Sequence, residues 1–212
     1  MAMKFYDCTS APSPRRVRIF MAEKGIEIPT VQVDLAGGEQ FSANYHAINP
    51  RCAVPTLVLD DGTAIGEVLA ICRYLEEIQP DPPLMGKTAK GKALVTMWER
   101  RMELDGLLAA AESVRNFFPG LKARAVVGPH NYEQIPELVE RGKKRLQDFY
   151  GDLDERLAES AFVAGQTFSI ADITAIVTID FAASRLKVRV PEAHKALQRW
   201  HDLVSARPSM AA

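Results

Sequence analysis

Residues 49–74 constrain the fold of this chain more than any other stretch. They place the pair Val54-Pro55 before a short apolar run, then an Asp-Asp-Gly turn, then Glu67 at the start of an amphipathic helix. Because X-Pro bonds have only a small trans preference, a cis bond is feasible here and would hold Val54 outward in an extended conformation. An extended peptide would then add to Val54 as a short extra strand, while the free N–H groups of the helix start bind a carboxylate. The pattern therefore predicts a site for a small anionic tripeptide.

The composition is that of an ordinary globular protein with one large domain or two modest ones. The chain has 212 residues, of which 47% are hydrophobic and 25% are charged. Its net charge of −1 argues against nucleic-acid or anionic-membrane partners, which favour a basic surface. No apolar stretch is long enough to span a membrane, and the first residues do not resemble a signal peptide. The three cysteines and four histidines show neither a disulfide framework nor metal-ligand spacing, so we expect a cytoplasmic protein without a metal.

Strand patterns alternate with helical patterns over residues 1–79. Strands are predicted near 4–6, 31–33, 56–59 and 64–65, with Asp61-Gly62 as a hairpin turn between the last two. Helices are predicted before Gly25, over 41–48 and from Val68 onward. The resulting order, β-α-β-α-β-β-α, predicts a thioredoxin-like domain of the α+β class.

The composition changes at the breaker segment QPDPP, so residues 80–88 are predicted to link two domains. Residues 89–212 show no strand pattern and are predicted to form an all-helical bundle. Its helices are expected over 90–118, 133–159, 170–185 and 191–205. The third helix is apolar on nearly all sides, which predicts a central position in the bundle. A capping box from Ser169 to Asp172 is expected to begin it.

Several motifs make the chain resemble the cytosolic glutathione transferases. In that family a V-P-T-L strand, a D-D-G turn and an E-S-x-A-I helix start recur, and here the last reads E-V-L-A-I over residues 67–71. The resemblance continues in SAPSPRRVRIFMAEKGI (10–26) and VAGQTFSIADIT (163–174), and is strongest to the bacterial and fungal group resembling the second yeast enzyme. It implies glutathione as co-substrate, an electrophilic small molecule as second substrate, a homodimer and a role in detoxification.

The resemblance also implies which residues bind glutathione. They are Gln40, Arg51, Val54, Pro55, Glu67 and Val68. Glu67 would pair with the α-amino group of the ligand, whereas Gln40 and Arg51 would bind its glycyl carboxylate. Val68 departs from the family, in which a serine hydroxyl donates to the α-carboxylate. Losing that contact would cost about 1 kcal/mol, or up to about 3 kcal/mol with a charged acceptor, so we expect weaker affinity rather than none.

The candidate catalytic residues are Ser10 and Ser13, in the loop that leads into the first helix. An ungapped alignment on the RRVRI segment puts Ala11 where serine-type relatives carry the hydroxyl that donates to the thiolate. A shift of one residue would bring Ser10 to that position, and Ser13 has a second interpretation as the cap of the helix. Members resembling the yeast enzyme use an activated water and backbone donors instead, for which Arg115 and Asn116 are candidates.

Two other functions stay open at this point. Ala11 and Val68 both lack a hydroxyl that relatives carry, which fits a protein that only binds ligands or other proteins. Cys8 would form a mixed disulfide with glutathione in a thiol reductase or peroxidase. No Cys-x-x-Cys pair accompanies it, and a buried core residue is its other interpretation.

Residues of the helical half are assigned by the same resemblance. Glu103 or Asp105 is expected to reach the site of a partner subunit, because the family dimerises across this helix; a solvated charge is the default for both. Phe117, Phe118 and Tyr132 either line the acceptor pocket or pack in the core. The identity of the electrophile does not follow from these side chains.

Overall fold

The structure is a computed structural model that describes residues 2–212. The chain divides into two compact units. The first unit contains residues 2–82, 127–130 and 212, and the second contains residues 83–126 and 131–211. The first unit holds the strands of the sheet, and the second is helical.

One mixed sheet organises the first unit. Its strands are β1 (Lys4–Asp7), β2 (Thr30–Gln32), β3 (Thr56–Val58) and β4 (Ala64–Gly66), in the spatial order β2-β1-β3-β4. β2 runs parallel to β1, whereas β3 is antiparallel to both β1 and β4. The central strands bury Phe5 and Leu57 completely. All residues of the edge strand β2 are exposed. Of the two valines in the predicted strand over 31–33, only Val33 is buried, and it lies just past the end of β2.

Three helices complete the sheet unit: α1 (Pro12–Lys24), α2 (Ala43–Ile48) and α3 (Val68–Ile78). α1 packs against α3 and ends at Gly25, whose φ of +63° is the left-handed conformation that glycine adopts without steric cost. α2 begins two residues later than predicted because the Ser42 hydroxyl accepts a hydrogen bond from the Tyr45 N–H and caps the helix. The observed order of elements confirms the predicted thioredoxin-like fold.

Lys24 connects α1 to α3 and to the segment that follows it. Its ammonium group is fully buried and forms an ion pair with Glu76 at 2.7 Å. It also donates to the carbonyl oxygens of Gln79 and Pro82, at 2.6 and 2.7 Å. All three protons of this cation therefore have an acceptor, which is what a buried charge requires.

The second unit is all helical, as predicted. It contains α4 (Ala89–Arg101), α5 (Leu108–Phe117), α6 (Glu137–Glu159), α7 (Ile170–Leu186) and α8 (Lys195–Ser205). The predicted single helix over 90–118 is instead two helices joined by a π-helical segment, Met102–Leu107. Within that segment the ring of Phe149 approaches so closely that a Cβ on Gly106 would lie 2.7 Å from it.

α7 is the central helix of the bundle. Its residues from Ile170 to Ile179 are all buried, and it packs against α4, α5, α8 and the π-helical segment. The predicted capping box is present at its start. The carboxylate of Asp172 accepts hydrogen bonds from the Ser169 N–H, the Val163 N–H and the indole of Trp200, at 2.9–3.0 Å. This buried carboxylate thereby joins three parts of the unit.

Two further helix starts and one turn also differ from the prediction. α6 begins at Glu137 rather than near 133, and α8 begins at Lys195 rather than 191. Asp154 stabilises the later start of α8 because its carboxylate accepts from the Leu197 N–H at 2.8 Å. The connection between β3 and β4 spans residues 59–63 and is longer than the two-residue hairpin turn expected there.

Candidate active site

The candidate site lies at one edge of the sheet. Tyr6 of β1 pairs with Thr56 of β3, and Thr56 pairs with Gly66 of β4. The end of β1, the start of β3 and the end of β4 are therefore neighbours. The loop after β1, the Val54-Pro55 pair before β3 and Glu67 after β4 all leave the sheet at this edge.

The segment before β3 presents open main chain. The Val54–Pro55 peptide bond is cis, Pro55 is buried and Val54 is half-buried. Among residues 2–212, none hydrogen-bonds to the main-chain N–H or C=O of Val54. A peptide in extended conformation can therefore pair with Val54 without displacing a hydrogen bond of the protein.

Three side chains hold this segment in place by binding the residue before Val54. The carbonyl oxygen of Ala53 accepts hydrogen bonds from the Tyr45 hydroxyl at 2.7 Å and the Asn49 amide at 2.9 Å. It also accepts a longer one from the Thr56 hydroxyl. Burial raises the pKa of Tyr45, so its hydroxyl stays protonated and donates. Sequence reasoning missed these residues as supports of the site.

The start of α3 offers free donors beside Val54. The first N–H of α3 with an acceptor inside the helix is that of Ile71, which donates to the Glu67 carbonyl at 3.0 Å. Within the described residues, the N–H groups of Val68, Leu69 and Ala70 have no acceptor. Such a helix start attracts a carboxylate.

Glu67 and Val68 differ in where their side chains lie. Glu67 is exposed and has a φ of +66°, an unusual conformation for a residue with a Cβ. Such backbone outliers cost about 1–3 kcal/mol and concentrate at functional sites. Val68 is only 4% exposed, so its side chain packs into the core, and its N–H has no hydrogen-bond acceptor among residues 2–212.

Gln40 and Arg51 lie on the connections that precede and follow α2. Gln40 is in a short 3-10 helix, Glu39–Phe41, and its Oε1 atom is buried without a hydrogen-bond partner among the residues described. Arg51 is exposed, and its guanidinium group lies beside Gly128. The unsatisfied Gln40 oxygen is suited to a hydrogen-bond donor of a ligand, and the exposed Arg51 guanidinium is suited to an anionic group.

A network of polar groups around the buried Asp7 fixes the loop after β1. Asp7 is 1% exposed and accepts from Arg18 and from the Gln32 amide, both at 2.6 Å. The other end of the Gln32 amide accepts from the N–H and the hydroxyl of Thr9, at 3.1 and 2.9 Å. Sequence reasoning missed Asp7 and Gln32, since nothing in the local pattern shows that they are neighbours on adjacent strands.

Ser10 and Cys8 are close to each other in this loop. The Ser10 hydroxyl is exposed and lies 3.5 Å from the Cys8 sulfur. Cys8 is a free thiol and is half-buried, so it is more accessible than a core residue. The loop places both groups just before α1.

The interpretation of Ser13 as a helix cap is wrong. α1 begins at Pro12 with Ala11 at the N-cap, because the Ala11 N–H closes a turn onto the Cys8 carbonyl at 2.9 Å. Ser13 is therefore inside the first turn, where its hydroxyl accepts from the Arg16 guanidinium at 3.4 Å. Pro12 and Pro14 on either side of Ser13 carry no N–H, and the Ser13 N–H has no acceptor among residues 2–212, so it is a main-chain donor open to a ligand at this helix start.

In the helical unit, Asn116 has a structural role. It is 7% exposed; its amide donates to the Glu112 carbonyl at 2.8 Å and its oxygen accepts from the Ile135 N–H at 2.7 Å. Both polar atoms of the Asn116 side chain therefore form hydrogen bonds that hold the loop after α5 against the helix. Asn116 is therefore not free to act on a thiol, whereas Arg115 beside it has no carboxylate partner among residues 2–212.

The other candidates of the helical unit are mostly exposed. Glu103 forms an ion pair with Arg100, whereas Asp105 is exposed and lines a cleft of about 330 Å³ with Trp98. The rings of Phe117 and Phe118 meet edge to face at 5.1 Å. Phe117 and Tyr132 are about half exposed, so neither is a core residue.

Two other kinds of feature are absent from residues 2–212. No group of three or more histidine, cysteine, aspartate or glutamate side chains within that range is arranged to hold a metal ion. No helix there combines the length and apolar character needed to cross a membrane.

A thioredoxin-like sheet with a cis-proline before its third strand, joined to an all-helical unit, defines a class of two-domain proteins. Family models described as the N-terminal and the C-terminal domain of glutathione S-transferase match residues 11–78 and 136–203. Over 210 residues the chain is 35% identical to Glutathione S-transferase 2 of Saccharomyces cerevisiae, with 98% of this chain and 88% of that protein covered.

Solved structures agree with the sequence matches. A glutathione S-transferase domain-containing protein from Marinobacter aquaeolei VT8 superposes with a TM-score of 0.90 at 36% identity, covering 98% of this chain and 99% of that one. Gtt2 from Saccharomyces cerevisiae superposes with a TM-score of 0.89 at 35% identity, covering 98% of each chain. The chain therefore belongs to the glutathione S-transferase family, and the predicted resemblance to the second yeast enzyme is confirmed.

Proposed function

We propose that this protein is a glutathione transferase that joins the sulfur of glutathione to electrophilic small molecules. The observation that carries the proposal is the free main chain of Val54 beside the free N–H groups at the start of α3. An extended peptide whose carboxylate lies at a helix N-terminus matches both features. Residues 1–79 would then form the glutathione-binding domain, 80–88 the linker, and 89–212 the domain for the electrophile.

We assign to each candidate residue the role that the family resemblance implies. The exposed carboxylate of Glu67 would pair with the α-amino group of glutathione, and the Val68 N–H would donate to the adjacent α-carboxylate. Gln40 and Arg51 would bind the glycyl carboxylate at the other end. Val54 and Pro55 would hold the cysteinyl residue between these ends.

The thiol of glutathione must lose its proton to react, and a free thiol has a pKa of about 8.5. We propose that the Ser10 hydroxyl and the Ser13 N–H donate to the thiolate, because both lie where β1 leads into α1. A hydrogen bond to the charged form lowers a pKa. Ala11, which replaces the usual serine, supplies no donor from its side chain.

Turnover of 1-chloro-2,4-dinitrobenzene with glutathione tests the reaction. The sulfur forms a bond to the ring carbon, chloride leaves, and the thiol proton passes to the solvent. We expect a rate above background that saturates with glutathione. Ser10→Ala should lower kcat/KM and raise the apparent pKa of the pH–rate profile, because the thiolate loses a donor.

A second candidate function is binding without catalysis. It is favoured by the absence of two hydroxyls, at Ala11 and at the buried Val68. Calorimetry separates the two functions: micromolar to millimolar glutathione binding with turnover at the uncatalysed rate would support the binder and reject conjugation.

We propose further that the protein is a cytoplasmic homodimer with a role in detoxification. Half-exposed apolar side chains follow one another along α4, the π-helical segment and α5; they are Leu94, Met97, Leu104 and Leu108. An apolar ridge of this kind on a soluble unit marks an interaction surface. Sedimentation of the protein and of Leu104→Glu tests the dimer, since a charge on the ridge should shift the protein towards monomer.

A further inference from the structure

Arg18 of α1 and Gln32 of β2 together bind every polar group of Thr9. The Thr9 N–H and hydroxyl donate to the side-chain oxygen of Gln32, at 3.1 and 2.9 Å. The Thr9 carbonyl oxygen accepts from the Arg18 guanidinium at 3.3 Å. Thr9 is exposed, and an exposed hydrogen bond competes with water. The conformation of this loop therefore depends on what fixes Arg18 and Gln32.

Asp7 fixes both of these side chains. One oxygen of its carboxylate accepts from Arg18 and the other accepts from the Gln32 amide, each at 2.6 Å. The ion pair between Asp7 and Arg18 is mostly buried, so water does not easily replace either partner. Hydrogen bonds of this length to an ionised group are among the strong ones in proteins. Asp7 thereby sets the position of Thr9 through two intermediate side chains.

The peptide bond between Thr9 and Ser10 carries this constraint to the next residue. A trans peptide is planar, and its C=O and N–H point in opposite directions. Since Arg18 binds the Thr9 carbonyl, the Ser10 N–H points away from Arg18. It has no acceptor among residues 2–212, whereas the Ala11 N–H is bound by the Cys8 carbonyl at 2.9 Å. Ser10 therefore offers a main-chain donor to a ligand in addition to its exposed hydroxyl.

We propose that Asp7 is a positioning residue for the transferase reaction, which orients the N–H and hydroxyl of Ser10 towards the thiolate of glutathione through Arg18 and Gln32. The inference rests on the proposed function, because it adds a residue to the same site. Asp7 needs no contact with the ligand for this role. A donor stabilises a thiolate only when its hydrogen points at the sulfur, and a displacement of about 1 Å can cost about a hundredfold in rate.

The pKa of the bound thiol tests this role, because a residue that only stabilises the fold does not change it. This pKa is read from the ultraviolet absorbance of the thiolate while the complex with glutathione is titrated. Asp7→Asn keeps the size of the side chain but replaces one of the two accepting oxygens by a donor. We expect this variant to raise the pKa of the bound thiol by about one unit, which is about a tenfold loss of thiolate stabilisation.

A ligand without an ionisable thiol gives a second readout. S-methylglutathione has the same peptide but no thiolate, so the proposed contacts at Val54 and at the start of α3 bind it without help from Ser10. Asp7→Asn should weaken glutathione binding by about tenfold or more, at a pH where the wild type binds the thiolate. The same variant should leave the binding of S-methylglutathione unchanged. A variant that only disorders the site would weaken the binding of both ligands alike.

Two other variants keep the result specific. Arg18→Lys retains the charge beside Asp7 but loses the planar fork that also reaches Thr9, so it should raise the pKa of the bound thiol even if Asp7→Asn does not fold. Lys24→Met breaks another buried ion pair of the same unit, with Glu76, and should leave that pKa and the ratio of the two affinities unchanged. A thiol pKa at the wild-type value in Arg18→Lys and in folded Asp7→Asn, or an equal rise in Lys24→Met, would overturn the proposal.

Turnover of 1-chloro-2,4-dinitrobenzene separates this inference from the proposed function. If Asp7→Asn raises the pKa of the bound thiol while neither the wild type nor the variant turns over the chloride, the positioning role stands and conjugation fails. If both proteins turn it over at the same rate and with the same thiol pKa, conjugation stands and the positioning role fails. A wild type that binds no glutathione would reject both.

Discussion

Replacing Val68 by serine should strengthen glutathione binding while it destabilises the fold. The side chain is 4% exposed at the first position of α3, and its N–H is proposed to donate to the ligand. A hydroxyl there adds a hydrogen bond to a charged carboxylate, which contributes about 1–3 kcal/mol. That range corresponds to a Kd that is about 5- to 150-fold lower.

The cost in stability follows from the same burial. Val68→Ser removes two buried methyl groups and leaves a small cavity, so unfolding becomes about 1–3 kcal/mol easier. For a chain of this length the melting temperature falls by about 2–4 °C for each kcal/mol. Val68→Ala is the matched control because it removes the same packing and adds no hydroxyl.

The assay is calorimetric titration of glutathione into the wild type and both variants, with thermal unfolding of each without ligand. We expect Val68→Ser and Val68→Ala to lose similar stability, and Val68→Ser alone to bind glutathione more tightly than the wild type. Equal affinities in the two variants would refute the placement of the α-carboxylate at the start of α3.

Three more predictions concern stability and the thiol. Burial raises the pKa of Asp172 to about 6, above its ordinary value of 3.8, so the native state holds this proton more tightly than the unfolded chain does. The contribution of Asp172 to the free energy of unfolding should therefore fall as pH rises from about 4 to about 6. Urea unfolding of the wild type and of Asp172→Asn measures this contribution as the difference between their free energies of unfolding. A difference that does not change with pH over that range would contradict the prediction. Lys24→Met removes the buried cation paired with Glu76 and should cost about 3–5 kcal/mol in urea unfolding; the double variant with Glu76→Gln should recover part of the loss, and no recovery would argue against the pairing. Cys8→Ser should leave conjugation kinetics unchanged, whereas loss of activity would indicate disulfide chemistry at Cys8.

The elements that the sequence predicted well are those whose cause is local. The capping box at Ser169 depends on a residue three positions along the chain, and the cis bond at Pro55 depends on the proline itself. The order of strands and helices in the first unit followed from periodicity together with local turn and breaker residues. Boundaries failed where a distant contact decides them, as at α8, whose start is set by the Asp154 carboxylate from α6.

The candidate site shows the same limit. Asp7 and Gln32 are 25 positions apart, and their hydrogen bond exists only because β1 and β2 are parallel neighbours. The support that Asn49 gives to Ala53 likewise requires the chain to turn back on itself after α2. Residue types alone do not specify such pairs. The residues that we expect to contact the ligand could be proposed from sequence motifs, whereas the residues that hold them in place could not.

The geometry also explains how the site can accommodate Ala11 and Val68 in place of serine. The proposed contacts to glutathione come largely from main-chain groups: Val54 beside the cis bond, the first N–H groups of α3, and the Ser13 N–H of α1. A main-chain donor depends on where the backbone runs, and the backbone here is fixed by the register of β1, β3 and β4 together with buried side chains such as Asn49 and Asp7. Losing a hydroxyl from such a site weakens individual contacts and leaves the arrangement of donors intact. Substitution of the supporting residues should therefore impair glutathione binding more than the absence of either hydroxyl.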